Sequence, residues 1–157
     1  MTKERSRVYW DSDCFLAWLQ EEAGKVDGCR AVLDEADAGR TLIVTSALTI
    51  AEVLSMRHRQ AISASQRSKV QAFFRRDYIA VVNVTRRLAE AARDVVWDHG
   101  VMPKDALHVV TAIDAKVSAL HTFDERLLKK SGKLGAPAIE ICHPFVSQAS
   151  LDFGKKN

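Results

Sequence analysis

Four acidic residues occur where predicted strands end or predicted helices begin. Asp11 closes the apolar run in VYWDSD, and Asp124 follows another predicted strand in HTFDERL. Asp105, in MPKDALHVV, falls in the first turn of a predicted helix, and Glu52 lies on the helix of TSALTIAEVLS. Carboxylates gathered in one pocket repel one another, so they need a cation or shared protons to coexist. Four carboxylate side chains therefore favour a site for a divalent metal ion, provided that the fold brings them together.

Each of these residues also has a purely structural explanation. Asp11 and Asp124 could be helix N-caps, and Asp105 could complement a helix dipole. Glu52 could face solvent, but this explanation suits it least because Ile50, Ala51, Val53 and Leu54 surround it in the sequence.

The elements that must position these residues alternate between strand and helix. Short apolar runs predict strands at Arg7–Trp10, Thr41–Val44, Tyr78–Val84, Ser118–Phe123 and Ala138–Cys142. The segments between them predict helices at Phe15–Glu22, Cys29–Ala38, Leu48–His58, Ser65–Arg75, Thr85–Gly100, Pro103–Lys116 and Asp124–Lys130. This alternation predicts a three-layer α/β/α sandwich with a central parallel sheet. In such sheets, sites form beyond the carboxyl ends of the strands.

The composition narrows the class of protein. The chain has 157 residues, of which 47% are hydrophobic and 27% charged, so we expect one domain over 1–157 with a core at about 7–146 and a loose C-terminal tail. Three cysteines without a CxxC pair argue against a disulfide framework or a thiolate metal site. The apolar run after MTKERSR is too short for a signal peptide, and no run approaches a membrane span, so we expect a soluble cytoplasmic protein.

The acidic segments resemble the motifs of PIN-domain ribonucleases, most closely the toxin subunits of VapBC toxin–antitoxin pairs. The segments are VYWDSDCFLAWL, TSALTIAEVL, PKDALHVVTAI and HTFDERLL, and the likeness runs from about Val8 to Phe145. It implies that the acidic residues of the active site are Asp11, Glu52, Asp105 and Asp124.

Two further residues of these segments have supporting roles by the same resemblance. Thr122 matches a polar position just before the last aspartate of the family. Asp13 departs from the pattern, since the family usually carries a small polar residue or asparagine there. It either adjusts metal affinity or caps a helix that begins at Cys14, and we expect the cap.

The resemblance implies a Mg²⁺-dependent endoribonuclease that is the toxin of a type II toxin–antitoxin system. An all-oxygen ligand set suits Mg²⁺, with Mn²⁺ as the alternative. We expect Asp11 and Asp105 to be the primary ligands and Asp124 to complete the site directly or through water. Glu52 either binds a second ion or orients the attacking water. The implied partners are RNA, a small inhibitory antitoxin protein and a second copy of the chain.

Basic residues are concentrated between Arg57 and Arg87, in a chain whose formal net charge is +3. Such runs are often solvated helix faces, but they could also contact RNA phosphates. The candidates for RNA contacts are Arg57, Arg59, Arg75 and Arg76. The aromatic residues of this region, Phe73, Phe74 and Tyr78, are expected to pack in the core rather than to stack on bases.

Other functions remain open on the sequence alone. A haloacid-dehalogenase-type phosphatase would use Asp11 as nucleophile and Asp13 as general acid, but it leaves Glu52 and Asp105 without roles. A phosphorylated receiver domain does not match the order of the acidic residues, and a non-catalytic module of the same fold is a further alternative. The histidines His99, His108 and His121 share no metal-binding spacing and are expected to be structural.

Overall fold

The computed structural model describes residues 3–54 and 60–146 and contains one parallel sheet in that part of the chain. Its strands are β1 (Ser6–Trp10), β2 (Thr41–Ser46), β3 (Ile79–Val82), β4 (Ala119–His121) and β5 (Ile141–Cys142). Their spatial order is β3-β2-β1-β4-β5, and every neighbouring pair is parallel. The predicted parallel sheet is therefore confirmed.

The helices lie between the strands, as the alternation predicts. They are α1 (Ser12–Leu19), α2 (Val26–Asp37), α3 (Ala47–Glu52), α4 (Arg67–Phe74), α5 (Arg86–His99), α6 (Pro103–Asp114) and α7 (Glu125–Leu128), with a 3₁₀ turn at Ala64–Gln66. The helix predicted at Leu48–His58 begins one residue earlier, at Ala47, and ends at Glu52, so the predicted end is too late. Residues 55–58 of that prediction lie outside the described residues. Within the described ranges, no helix has the length and apolar character needed to cross a bilayer.

Apolar side chains cover both faces of the sheet. Successive residues of β1 point to opposite sides, so Trp10 packs with Phe15 and the α1, α2 and α4 side chains in one cluster. Tyr9 packs in the other cluster, with residues such as Val109 of α6. Burial on both faces explains why the run VYW has no polar alternation. The predicted three-layer sandwich is confirmed.

The order of the strands creates a crevice beside β1. The chain builds β1, β2 and β3 outward in one direction and then crosses to place β4 on the other side of β1, with Trp10 opposite His121. The connections that leave β1 and β4 therefore run in opposite directions at the carboxyl edge of the sheet, which is where open α/β sheets bind ligands. Asp11 follows β1 at this edge, and Thr122 follows β4.

Candidate active site

Asp11 lies in the crevice at the end of β1 and is only 5% exposed. Its backbone N–H donates to the His121 carbonyl at 3.4 Å, and its Oδ1 accepts from the Cys14 N–H at 3.3 Å, which makes it the N-cap of α1. Burial, followed by the negative charge of Asp13, raises the pKa of Asp11 to about 7. Ionising this carboxylate without a compensating cation is therefore costly.

Asp105 reaches the same place from the first turn of α6. The pKa of Asp105 is raised to about 6, chiefly by burial and then by the charges of Asp124, Asp13 and Glu52, while His108 opposes them. These charges come from α7, α1 and α3. The carboxylates of four helix termini thus share one electrostatic environment.

Thr122 and Asp124 form a short turn between β4 and α7. The buried Thr122 Oγ1 accepts a hydrogen bond from the Asp124 N–H at 3.0 Å. The Asp124 carboxylate accepts from the Arg126 N–H at 2.8 Å and caps α7. Two of the acidic residues are therefore helix caps as well as members of the acidic cluster.

Glu52, the last residue of α3, does not project freely into solvent. Its Oε1 accepts hydrogen bonds from Ser12 Oγ at 2.9 Å and from His108 Nε2 at 2.8 Å. Burial acts to raise the pKa of Glu52, but the hydrogen bonds from His108 and Ser12, with the charges of His108 and Lys104, outweigh burial and hold it below the ordinary value. Glu52 is thus a stable carboxylate among neighbours that resist ionisation.

His108 is a polar residue of this cluster that the sequence interpretation assigned only to structure. It is 2% exposed, and its Nδ1 lies 2.7 Å from the Tyr9 hydroxyl. Burial alone would lower the pKa of His108, but the hydrogen bond to Glu52 and the charges of Asp11, Glu52 and Asp105 raise it. Its spacing of three residues from Asp105 places both on one helix face, and that spacing was the available signal.

The expectation that Asp13 caps a helix beginning at Cys14 is wrong. The helix begins at Ser12, and Asp11 supplies the cap. Asp13 instead lies in the first turn of α1, where its negative charge raises the pKa values of Asp11 and Asp105. It belongs electrostatically to the acidic cluster.

The donor set of the cluster fits a hard divalent cation. Carboxylate oxygens are the ligands that Mg²⁺ and Mn²⁺ prefer, and a cation would offset the cost of ionising Asp11 and Asp105, whose pKa values are raised by burial and then by neighbouring carboxylates. Across residues 3–54 and 60–146, however, no three His, Cys, Asp or Glu side chains are arranged so that they could hold a metal ion as they stand. Binding would therefore require the carboxylates to draw closer together.

The predicted RNA contacts are only partly described. Arg57 and Arg59 lie outside the described residues. Arg75 is exposed at the end of α4, whereas Arg76 donates to the Tyr78 hydroxyl and lies 5.2 Å from the Phe73 ring centroid. The rings of Phe73 and Tyr78 are buried, so they belong to the core, as expected.

Solved structures with the same fold include several toxin–antitoxin proteins. Mycobacterium tuberculosis VapC20, titled a sarcin-ricin loop cleaving toxin, has a TM-score of 0.62 at 15% identity, covering 76% of this chain and 92% of that chain. A toxin–antitoxin complex from Klebsiella pneumoniae has a TM-score of 0.60 at 14% identity, with coverages of 89% and 99%. VapBC2 from Rickettsia felis, bound to a promoter DNA fragment, has a TM-score of 0.57 at 15% identity, with coverages of 86% and 96%. The TM-scores establish that these proteins share the fold of this chain, and at such low sequence identities they establish no more than the fold.

Comparison with curated protein sequences finds no match. A family-level comparison does: residues 8–133 match the PIN domain, a span that begins within β1 and extends past α7. The match includes all the acidic residues of the crevice and the strands and helices that position them. The chain therefore belongs to the PIN domain family.

Proposed function

We propose that this protein is a Mg²⁺-dependent endoribonuclease that hydrolyses RNA phosphodiester bonds. The observation that supports this function best is the grouping of acidic residues at one edge of the sheet: the charges of Asp124, Asp13 and Glu52 act on Asp105, and the charge of Asp13 acts on Asp11. Carboxylates such as Asp11 and Asp105, whose pKa values are raised by burial and then by neighbouring negative charge, are costly for the fold alone, but they suit a site that binds a cation and a phosphate.

The acidic residues would have different roles in hydrolysis. Asp11, Asp105 and Asp124 would hold the ion, Mg²⁺ or in its place Mn²⁺. A bound ion supplies a water of lowered pKa and offsets charge on the phosphate oxygens. Glu52 either contributes to a second ion or accepts a hydrogen bond from the attacking water and directs it toward phosphorus. Thr122 holds the turn that carries Asp124.

We further propose that the protein is the toxin of a type II toxin–antitoxin pair. The solved relatives named above include a toxin–antitoxin complex and a VapBC pair, each similar to this chain over most of its length. A groove of about 550 Å³ lies beside α3 and α4, and its lining includes Ile50, Leu54, Val70, Phe74 and Arg75. Ile50 is 42% exposed and Leu54 52%, which is unusual for large apolar side chains that flank an acidic site.

The antitoxin is the occupant that best fits this groove. An amphipathic helix of the antitoxin would bind in such a groove through apolar side chains spaced along one face. Acidic residues on that helix would pair with Arg67 and Arg75, which line the groove. A homodimer is the remaining part of the proposal and is checked by measuring molar mass in solution.

The decisive experiment is metal-dependent cleavage by the purified chain. The substrates are end-labelled transfer RNA, messenger RNA and a sarcin-ricin loop hairpin, each incubated with Mg²⁺, Mn²⁺ or EDTA. Asp11→Asn is the matched variant, and we expect it to be inactive. Cleavage of at least one RNA that requires the metal and Asp11 supports the proposal. Absence of cleavage from the whole panel, or full cleavage by Asp11→Asn, would contradict it. Trapping of a phosphorylated Asp11 would favour the phosphatase alternative instead.

A further inference from the structure

His108 is held between the sheet and α3 by both of its ring nitrogens. Nδ1 lies 2.7 Å from the Tyr9 hydroxyl on β1, and Nε2 lies 2.8 Å from Glu52 Oε1. An ionised carboxylate can only accept hydrogen bonds, so Nε2 carries a proton and donates it to Glu52. The Tyr9 hydroxyl holds the ring from the opposite side. This arrangement fixes the orientation of the imidazole without reference to its charge.

The hydrogen bonds to Glu52 are unevenly distributed over its carboxylate. Ser12 and His108 both donate to Oε1, and among residues 3–54 and 60–146 no hydrogen bond reaches Oε2. One oxygen is therefore anchored, and the other is left for a ligand. Without the anchor, repulsion from Asp105 would favour side-chain rotamers that carry Glu52 away from the crevice.

We propose that His108 is a positioning residue that holds the Glu52 carboxylate in the acidic site, so that Oε2 is presented to a bound ion or to the attacking water. This inference rests on the proposed ribonuclease function, since only a reacting site requires one fixed orientation of Glu52. α6 then serves the site twice, through Asp105 in its first turn and through His108 one turn later. Loss of a hydrogen-bond partner of this kind costs about 10–100-fold in activity or metal affinity.

Substitutions of His108 test the role directly. His108→Leu removes the donor to Glu52, His108→Gln returns an amide N–H near the position of Nε2, and His99→Leu is the matched control at an exposed histidine. The measurements are the single-turnover rate of cleavage of a labelled RNA hairpin with Mn²⁺, its dependence on RNA concentration, and the Mn²⁺ dissociation constant from calorimetry. Circular dichroism checks that each variant folds, and His108→Asn replaces His108→Leu if the latter unfolds.

We expect His108→Leu to lower the maximal rate by about 10–100-fold while the RNA concentration at half-maximal rate changes less than about threefold. His108→Gln should recover at least about tenfold of that loss, and His99→Leu should behave as the wild type. In a Glu52→Gln background, His108→Leu should add less than about a threefold loss, because the group that it positions is already disabled. Equal losses in both backgrounds, or no recovery with His108→Gln, would overturn the inference.

The Mn²⁺ measurement separates this inference from the proposed function. A dissociation constant for Mn²⁺ that is roughly tenfold larger in His108→Leu than in the wild type indicates that Glu52 binds metal. An unchanged constant with the non-additive rate loss assigns Glu52 to the water, and both results support the positioning role. A wild type that binds Mn²⁺ but cleaves no RNA refutes the nuclease; the positioning role then stands only if His108→Leu weakens Mn²⁺ binding, and an unchanged dissociation constant overturns it. A wild type that cleaves RNA while His108→Leu retains its rate refutes only the inference.

Discussion

Asp11 caps α1 with the same carboxylate that lies in the acidic crevice, because its Oδ1 accepts the Cys14 N–H at 3.3 Å. Asp124 has the same double position at the start of α7, where it accepts the Arg126 N–H at 2.8 Å. The structural explanation and the chemical explanation of these residues are therefore compatible. Substitutions that keep the cap but remove the charge can separate the two roles.

Asp11→Asn should separate capping from chemistry. Asparagine is as good an N-cap as aspartate, and it removes a charge that burial and Asp13 make costly. In EDTA we expect its free energy of unfolding to equal or exceed that of the wild type, while RNA cleavage is lost. Asp11→Ala should be about 1 kcal/mol less stable than Asp11→Asn. Urea unfolding followed by circular dichroism measures both, and a strongly destabilised Asp11→Asn would mean that the ionised carboxylate stabilises the fold.

Glu52→Gln should reduce cleavage by at least about 100-fold, the loss typical of a positioned acid–base or orienting group. The amide oxygen can still accept from Ser12 and His108, so the fold and the groove beside α3 should be unchanged. The thermal melting curve and the maximal rate report these two properties separately. Glu90→Gln, on the exposed surface of α5, is the matched control. A variant with near-normal rates would remove Glu52 from the mechanism.

His121 should make the protein less stable in mild acid. Its Nδ1 accepts from Trp10 Nε1 at 3.2 Å, and burial lowers its pKa to about 4. Between pH 6.5 and 4 the unfolded chain therefore binds a proton that the folded protein does not, so stability falls as the pH falls through this window.

The substitution that isolates this effect is His121→Asn, which retains an acceptor for Trp10 without a titratable group. Subtracting its unfolding free energies from those of the wild type at each pH cancels the opposite contributions of Asp11 and Asp105. We expect the wild type to lose about 2 kcal/mol more than the variant between pH 7 and pH 4.5. If unfolding free energy plotted against pH gave parallel curves for the two proteins, the pKa of His121 would be the same in the folded protein and the unfolded chain, which would contradict the prediction.

The basic residues at the end of α4 should affect binding rather than chemistry. If Arg75 and Arg76 both contact RNA, replacing them together with alanine should raise KM more than it lowers kcat. The slope of log K against log salt should shrink by roughly 1.4, or about 0.7 per phosphate contact. Arg93→Ala on α5 is the control. An unchanged slope with weaker antitoxin binding would assign Arg75 to the groove that it lines.

Much of the fold could be predicted because its pattern is local. The apolar run at Val8–Trp10 has no alternation since both faces of β1 are covered, and Pro103 begins α6 as proline does at a first helical position. The predicted start of α1 is three residues late, because two aspartates precede the helix and the cap is Asp11, not Asp13.

The network around Glu52 could not be predicted in the same way. His108 and Glu52 are 56 residues apart, and no spacing within either helix indicates that they meet. A buried histidine on an apolar helix has the same local sequence whether its partner is a backbone carbonyl or a carboxylate. Only the tertiary arrangement that brings Glu52 at the end of α3 to His108 on α6 decides between them. Long-range pairing therefore limits the prediction of a site more than it limits the prediction of a fold.

The place of β4 beside β1 also determines when the acidic crevice can exist during synthesis. Trp10 and His121 are opposite each other in the sheet but 111 residues apart in the chain. A ribosome-bound chain that has released β1, β2 and β3 carries Asp11 and Glu52 but lacks Asp105, Thr122 and Asp124. The acidic crevice cannot be completed until β4 has left the exit tunnel, because Asp105 precedes that strand and Thr122 and Asp124 follow it. Premature termination before β4 would therefore yield fragments that lack part of the acidic cluster.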